Sequence, residues 1–204
     1  EALIDHPSWI DKVKEFVGGE GTFDYNNGEL FIDENFASIR GPGEAIGLHS
    51  GGHAPVKRTQ YRFHNGHFMC GQINILLALT DIGPGDGATM VIPGSHKANI
   101  VHPQFAKQKI AEGASVDGVE GAVEVHLDAG DAILFVDAIS HGSAKRARAG
   151  ERRIVVYRYG PAWGTFRFGY WPSPELLGRL SPRRRKIVLP TERWERTPQV
   201  RIDR

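Results

Sequence analysis

The chain is 204 residues long, 40% hydrophobic and 9% aromatic, which is enough apolar material for one core of ordinary domain size. That composition excludes wholesale disorder, and the single cysteine, Cys70, excludes an internal disulfide framework and any multi-cysteine zinc or iron–sulfur site. The net charge of +1 conceals an imbalance: residues 1–144 carry 9 Lys/Arg against 19 Asp/Glu, and residues 145–204 carry 16 against 5.

The basic third also holds strand-like sequence, Ile154-Val155-Val156-Tyr157, and the aromatics Tyr159, Trp163, Phe166, Phe168, Tyr170 and Trp171. It is therefore expected to fold against the acidic remainder rather than to serve as a nucleic-acid tail. Only Arg183-Arg184-Arg185-Lys186 has the density of a free basic patch, and it suits acidic or phosphorylated small molecules equally well. No nucleic-acid or membrane partner is expected. No apolar run reaches the roughly 18 residues of a membrane span, and no secretory leader is recognisable. The expected location is cytoplasmic, and a segment is expected to precede Glu1. Oligomeric state is not legible.

In chain order, Pro7 to Phe16 reads as a helix, with Trp9, Ile10, Val13, Phe16 and Val17 at three- and four-residue steps and Gly18-Gly19 to end it. Leu30-Phe31-Ile32 and Phe36-Ala37-Ser38-Ile39 are two strand segments. Tyr61–Phe63 is a short strand, and Asn65-Gly66 marks a two-residue hairpin turn. Ile73–Leu79 is an apolar run of strand length, closed by Gly83-Pro84-Gly85, and Thr89–Ile92 is stopped by Pro93-Gly94. Residues 103–112 read as helix. Val123–Leu127 alternates, with His126 facing solvent, and Ala129-Gly130-Asp131 turns into Ala132–Val136. Arg153–Tyr159 is the last strong strand. With 25 glycines and 12 prolines as punctuation, many short strands and few helices predict a mainly β sandwich or barrel with flanking helices, one domain over 1–204.

The segments Asp81-Ile82-Gly83-Pro84-Gly85-Asp86-Gly87, Val91-Ile92-Pro93-Gly94-Ser95-His96-Lys97, and His141 followed by Arg152 ahead of a strand together resemble the phytanoyl-CoA dioxygenase family. Leu3-Ile4-Asp5-His6-Pro7 and the helix after it resemble that family's lead-in. The resemblance implies a double-stranded β-helix (jelly roll) and a non-haem Fe(II), 2-oxoglutarate-dependent oxygenase taking O₂ and a small organic substrate. It further implies that His141 is the distal iron ligand and that Arg152 binds the distal carboxylate of 2-oxoglutarate, with Ser143 assisting. Neutral imidazole suits Fe(II), and a guanidinium grips a carboxylate through two charge-assisted hydrogen bonds. Arg153 is the rival to Arg152, since one residue's shift on a strand reverses its face. Gln72 and Asn74 share one face of an apolar strand and are candidates to bind substrate or cosubstrate.

The family's proximal motif is His-x-Asp or His-x-Glu, whose side chains share a face about 6.6 Å apart on an extended chain. Here it aligns with Leu48-His49-Ser50-Gly51-Gly52-His53, so that His49 is the implied ligand and Gly51 stands where the carboxylate belongs. Three readings stay open. The first is iron with an open third position that takes chloride, as in the family's radical halogenases; the second takes its third donor from Glu44, His53, His64 or His67; the third is a metal-free binding domain that keeps the fold. Hydroxylation of an unactivated C–H bond is the favoured expectation. Cys70 is expected to pack rather than react, and His96 and Lys97 to cap or lie at the surface.

Overall fold

Alternating apolar residues and Gly/Pro turns place ten strands in the computed structural model, which describes residues 1–17, 28–104, 119–162 and 172–189. The major sheet is antiparallel in the order β1 (Leu30–Arg40), β10 (Arg152–Pro161), β5 (Ile73–Ala78), β8 (Ala132–Val136). The minor sheet runs β2 (Ile46–His49), β9 (His141–Ser143), β6 (Thr89–Val91), β7 (Val123–Val125). The chain passes back and forth between the two sheets, the winding of a double-stranded β-helix. β3 (Tyr61–His64) and β4 (His67–Cys70) form a separate hairpin, turned by Asn65 (φ 51°) and Gly66 (φ 84°), both left-handed as a type I′ turn requires.

Period-two alternation gives the major sheet two different faces. On β5, Ile73 and Ile75 point outward and join Tyr157, Tyr159 and helix α1 (Ile10–Val17) through Trp9, Ile10 and Val13. Trp9 Nε1 donates to the Tyr159 hydroxyl at 3.2 Å, which in turn donates to the Ile4 carbonyl at 2.9 Å. The alternate residues Gln72, Asn74, Leu76 and Ala78 face inward, and Leu76 and Ala78 pack with Ile154 and Val156. Burying each large aliphatic side chain here contributes about 1.5–3 kcal/mol.

The two expected strand segments at 30–39 are one strand, β1, continued through Asp33-Glu34 by a register shift between Ile32 and Glu34. Asp33 is buried there and accepts a hydrogen bond from Gln72 Nε2 at 2.9 Å, which is how a carboxylate sits inside a strand that its charge would otherwise interrupt. Three members of the expected basic patch, Arg183, Arg185 and Lys186, are exposed, while the fourth is tied down. The patch lies in α3 (Pro182–Val188), which follows α2 (Pro174–Arg179); Arg184 pairs with Asp5 at 2.6 Å and Ile187 and Val188 enter the core. Most of the expected helix at 103–112 and the aromatics from Trp163 to Trp171 lie outside the described residues. No helix among the described residues is long and apolar enough to cross a membrane.

Candidate active site

β2 and β9 pair so that His49 stands directly opposite His141. Gly142 allows this close approach, because a Cβ there would run into the Ile46 carbonyl oxygen. The two imidazole rings lie 4.3 Å apart, centroid to centroid, at 56°. Each ring's Nδ1 hydrogen is held by the backbone carbonyl two residues earlier, Gly47 O at 3.0 Å for His49 and Ile139 O at 2.7 Å for His141. That fixes the tautomer and leaves each Nε2 lone pair without a hydrogen-bond partner among the described residues, the state in which imidazole ligates a metal. His141 is buried and its ring meets Phe135 edge-on at 5.0 Å. Burial first, then the neighbouring His49, pulls its pKa from 6.5 to about 4, so it is neutral at ordinary pH.

Past His49 the chain does not stay extended. Ser50 (φ 64°) and Gly51 (φ 130°) both take positive φ, and Gly52 N donates to Ser95 O at 3.1 Å. The same-face argument for residues 49 and 51 therefore does not apply in this backbone. The turn folds His53 back: a Cβ on Gly51 would stand 2.6 Å from the His53 ring and 3.1 Å from Ser140 Oγ. The volume left by the missing side chain is occupied by that imidazole. Among the described residues no three His, Cys, Asp or Glu side chains are gathered closely enough to hold a metal, so the histidine pair has no third donor beside it. Of the other sequence candidates, Glu44 is exposed and paired with Lys145 at 3.0 Å, and His64 and His67 are exposed at the hairpin turn.

The strand facing separates the two arginines. Arg152 is buried, while Arg153 is exposed and engages Glu151 at 2.8 Å. Arg152 donates through Nη1 to the Gly87 carbonyl, and its buried Nε has no partner. Burial, then Arg40 and Arg146, lowers its pKa to about 10; it remains a cation. Ser143, two residues beyond His141, is buried, and its Oγ accepts from Arg40 Nη1 at 2.6 Å and from Ile46 N at 3.3 Å. Sequence reasoning missed Arg40 because its significance comes from its pairing with distant β10, where it sits directly opposite Arg152.

Gln72 and Asn74 are both fully enclosed. Gln72 is committed to Asp33, whereas Asn74 donates to Asp137 Oδ1 at 3.1 Å and keeps a buried Oδ1 with no partner. Asp137, also buried, forms an ion pair with Arg58. Beside the turn after β2 a cleft of about 470 Å³ opens, lined in part by His53, Thr59, Tyr61, Arg62, His96 and Lys97. His96 lies edge-on to Tyr61 at 4.7 Å, a packing role, and Cys70 is buried with its thiol pushed up to about 12.

These features define a cupin-like double-stranded β-helix with a paired-imidazole site between its sheets. Residues 1–154 match the family model described as Phytanoyl-CoA dioxygenase (PhyH), and the chain belongs to that family. A curated relative, "Dioxygenase cdmD" of Talaromyces verruculosus, is 29% identical over 191 residues, 91% of this chain and 55% of that protein. The chain thus spans about half the length of that relative. Among solved structures, HygX from Streptomyces hygroscopicus with nickel and 2-oxoglutarate bound superposes with a TM-score of 0.67 at 24% identity, over 80% of this chain and 65% of that one. HygX with iron bound gives 0.66 at 24% identity, over 80% and 68%.

Proposed function

We propose that this chain is a non-haem Fe(II)/2-oxoglutarate-dependent oxygenase that hydroxylates an unactivated C–H bond of a small organic substrate. The observation that carries the reading is the pair His49 and His141, each presenting Nε2 across one strand pair, on the same sheet as a buried Ser143 whose hydroxyl accepts from Arg40, the residue opposite Arg152 in the β1–β10 register. Family membership and the cofactors in the HygX structures support it.

The donor set fits the metal: two neutral imidazoles of fixed tautomer would hold Fe(II). Bound there, Fe(II) with 2-oxoglutarate and O₂ would supply the oxidising chemistry. The protein's own residues do the rest. Burial keeps His141 unprotonated, and Phe135 shields its ring. Arg152 holds the distal carboxylate and so fixes the direction in which the cosubstrate points. Asn74 Oδ1, buried and unpartnered, is an acceptor facing inward for a hydroxyl or amide. The cleft beside His53 and Tyr61 adjoins the turn that follows His49 and would be where substrate enters.

Hydroxylation is preferred to halogenation because the curated relative that the chain resembles is a dioxygenase. The test is anaerobic titration of Fe(II) and 2-oxoglutarate into the protein, followed by chloride. A weak visible charge-transfer band that chloride leaves unchanged is the expected result. Absence of the band in wild type removes the oxygenase reading, and a chloride-dependent shift replaces hydroxylation by halogenation. His141→Ala is expected to abolish metal binding, and wild-type metal content in that variant would overturn the ligand assignment.

A further inference from the structure

Three guanidinium groups, those of Arg40, Arg146 and Arg152, lie within electrostatic reach of one another, and among the described residues only Arg146 has a carboxylate. Arg146 is buried and satisfied: its Nη1 donates to Asp86 Oδ1 at 3.0 Å and Asp86 O at 2.9 Å, and its Nη2 to Ala149 O at 3.1 Å. Among the described residues Arg152 has a backbone carbonyl alone. Arg40, half-buried, has the Ser143 hydroxyl at 2.6 Å and the Glu44 carbonyl, while the Glu44 carboxylate goes to Lys145. Cross-strand partners in an antiparallel pair share a face, so the Arg40 and Arg152 side chains leave β1 and β10 on the same side. Two cations side by side with no anion among the described residues is an arrangement whose cost an incoming anion relieves.

Ser143 adds direction. Its Oγ already accepts two hydrogen bonds, from Arg40 and from Ile46 N. A hydroxyl has two lone pairs and one proton, so both lone pairs are used and the proton has no acceptor among the described residues. The hydroxyl is obliged to act as a donor to whatever enters.

We infer that Arg40 is a positioning residue for the cosubstrate: it holds Ser143 as a hydrogen-bond donor and, with Arg152, makes a two-guanidinium seat for the distal carboxylate of 2-oxoglutarate. The inference rests on the oxygenase reading and deepens it. Arg152 alone would grip a carboxylate through one edge; Arg40 and Ser143 supply the second oxygen with a charge-assisted partner and a fixed donor.

The experiment compares 2-oxoglutarate with 2-oxopentanoate, which has the same keto-acid head and a methyl in place of the distal carboxylate. Both are titrated calorimetrically into Ni(II)-loaded wild type, Arg40→Ala, Arg40→Lys, Ser143→Ala and Arg40→Ala/Ser143→Ala. The readout is the ratio of the two affinities within each variant, so a reduced folded fraction cancels. Wild type is expected to prefer 2-oxoglutarate, and Arg40→Ala to lose roughly 10- to 100-fold of that preference. Arg40→Lys should recover part of it, and removing Ser143 as well should cost less than its effect alone in wild type. An unchanged ratio in Arg40→Ala, or equal weakening of both ligands, overturns the assignment. Wild type that binds neither ligand removes the oxygenase reading itself, a result distinct from a wild type that prefers 2-oxoglutarate without needing Arg40.

Discussion

Arg58 and Asp137 join the turn before the hairpin to the end of β8: the carboxylate is 2% exposed and the guanidinium 27%. Asn74 Nδ2 holds the other carboxylate oxygen at 3.1 Å. Breaking such a pair from the cationic side leaves a buried charge with one neutral donor. Arg58→Ala is therefore expected to destabilise the fold by about 3–5 kcal/mol, and Arg58→Ala/Asp137→Asn to recover much of that loss. Denaturant melts of the two variants decide it; a single variant as stable as wild type would mean that the ion pair contributes nothing.

The two adjacent arginines of β10 should separate function from stability. Arg152→Met removes a buried, carboxylate-free cation, and such replacements by apolar residues of similar size are often neutral or stabilising. Thermal melting of the ligand-free protein should be no lower than wild type, while the affinity for 2-oxoglutarate collapses. Arg153→Met, exposed and held only by Glu151, should leave stability within about 0.5 kcal/mol and affinity intact. The reverse pattern would show that the cosubstrate lies on the other face of β10.

The pKa of His141 gives the apoprotein a defined acid sensitivity. Its folded-state value, about 4, lies below the 6.5 of an ordinary histidine, so the unfolded chain binds the proton more readily. The stabilisation is fully present above about pH 6.5 and is lost as pH falls toward 4. Melting temperature of metal-free wild type should decline across that window, and His141→Asn should flatten the decline. Equal slopes in the two proteins would contradict it.

Gly51→Asp, the change that would restore the family's motif on paper, is expected to fail here. With φ at 130°, any L side chain is strained by about 1–3 kcal/mol, and its Cβ meets the His53 ring at 2.6 Å. We expect a lower melting temperature with no gain in metal affinity. A more stable variant that binds metal more tightly would show that the turn after His49 rearranges freely.

Much of the fold could be read from local chemistry. Asn65-Gly66 specifies its hairpin, and Ile73–Ala78 and Ala132–Val136 are apolar runs closed by turns. The implied ligands His49 and His141 stand opposite each other, and the facing of Arg152 follows from β-strand alternation. What escaped is non-local. Asp33-Glu34 reads as a break because its burial depends on Gln72, far along the chain. Arg40 looks like an ordinary surface cation until β1 is laid against β10. The turn at Ser50-Gly51 is set by Ser95 and by the His53 ring, neither of which the spacing His49-x-Gly51 contains.

His141 and Ser143 sit two residues apart on one strand, and that makes β9 a ruler. Extended backbone advances about 3.4 Å per residue, so the two marks are close to 7 Å apart whatever side chains surround them. A keto acid anchored at the first mark presents its far carboxylate at the second only if its carbon chain has the matching length. If the site holds iron and a keto acid as proposed, 2-oxoglutarate would span this spacing, oxaloacetate would fall one methylene short of Ser143, and 2-oxoadipate would overrun it. Under the proposed function the pitch of the backbone would set the length of the cosubstrate, and Arg40, Ser143 and Arg152 how tightly it is held.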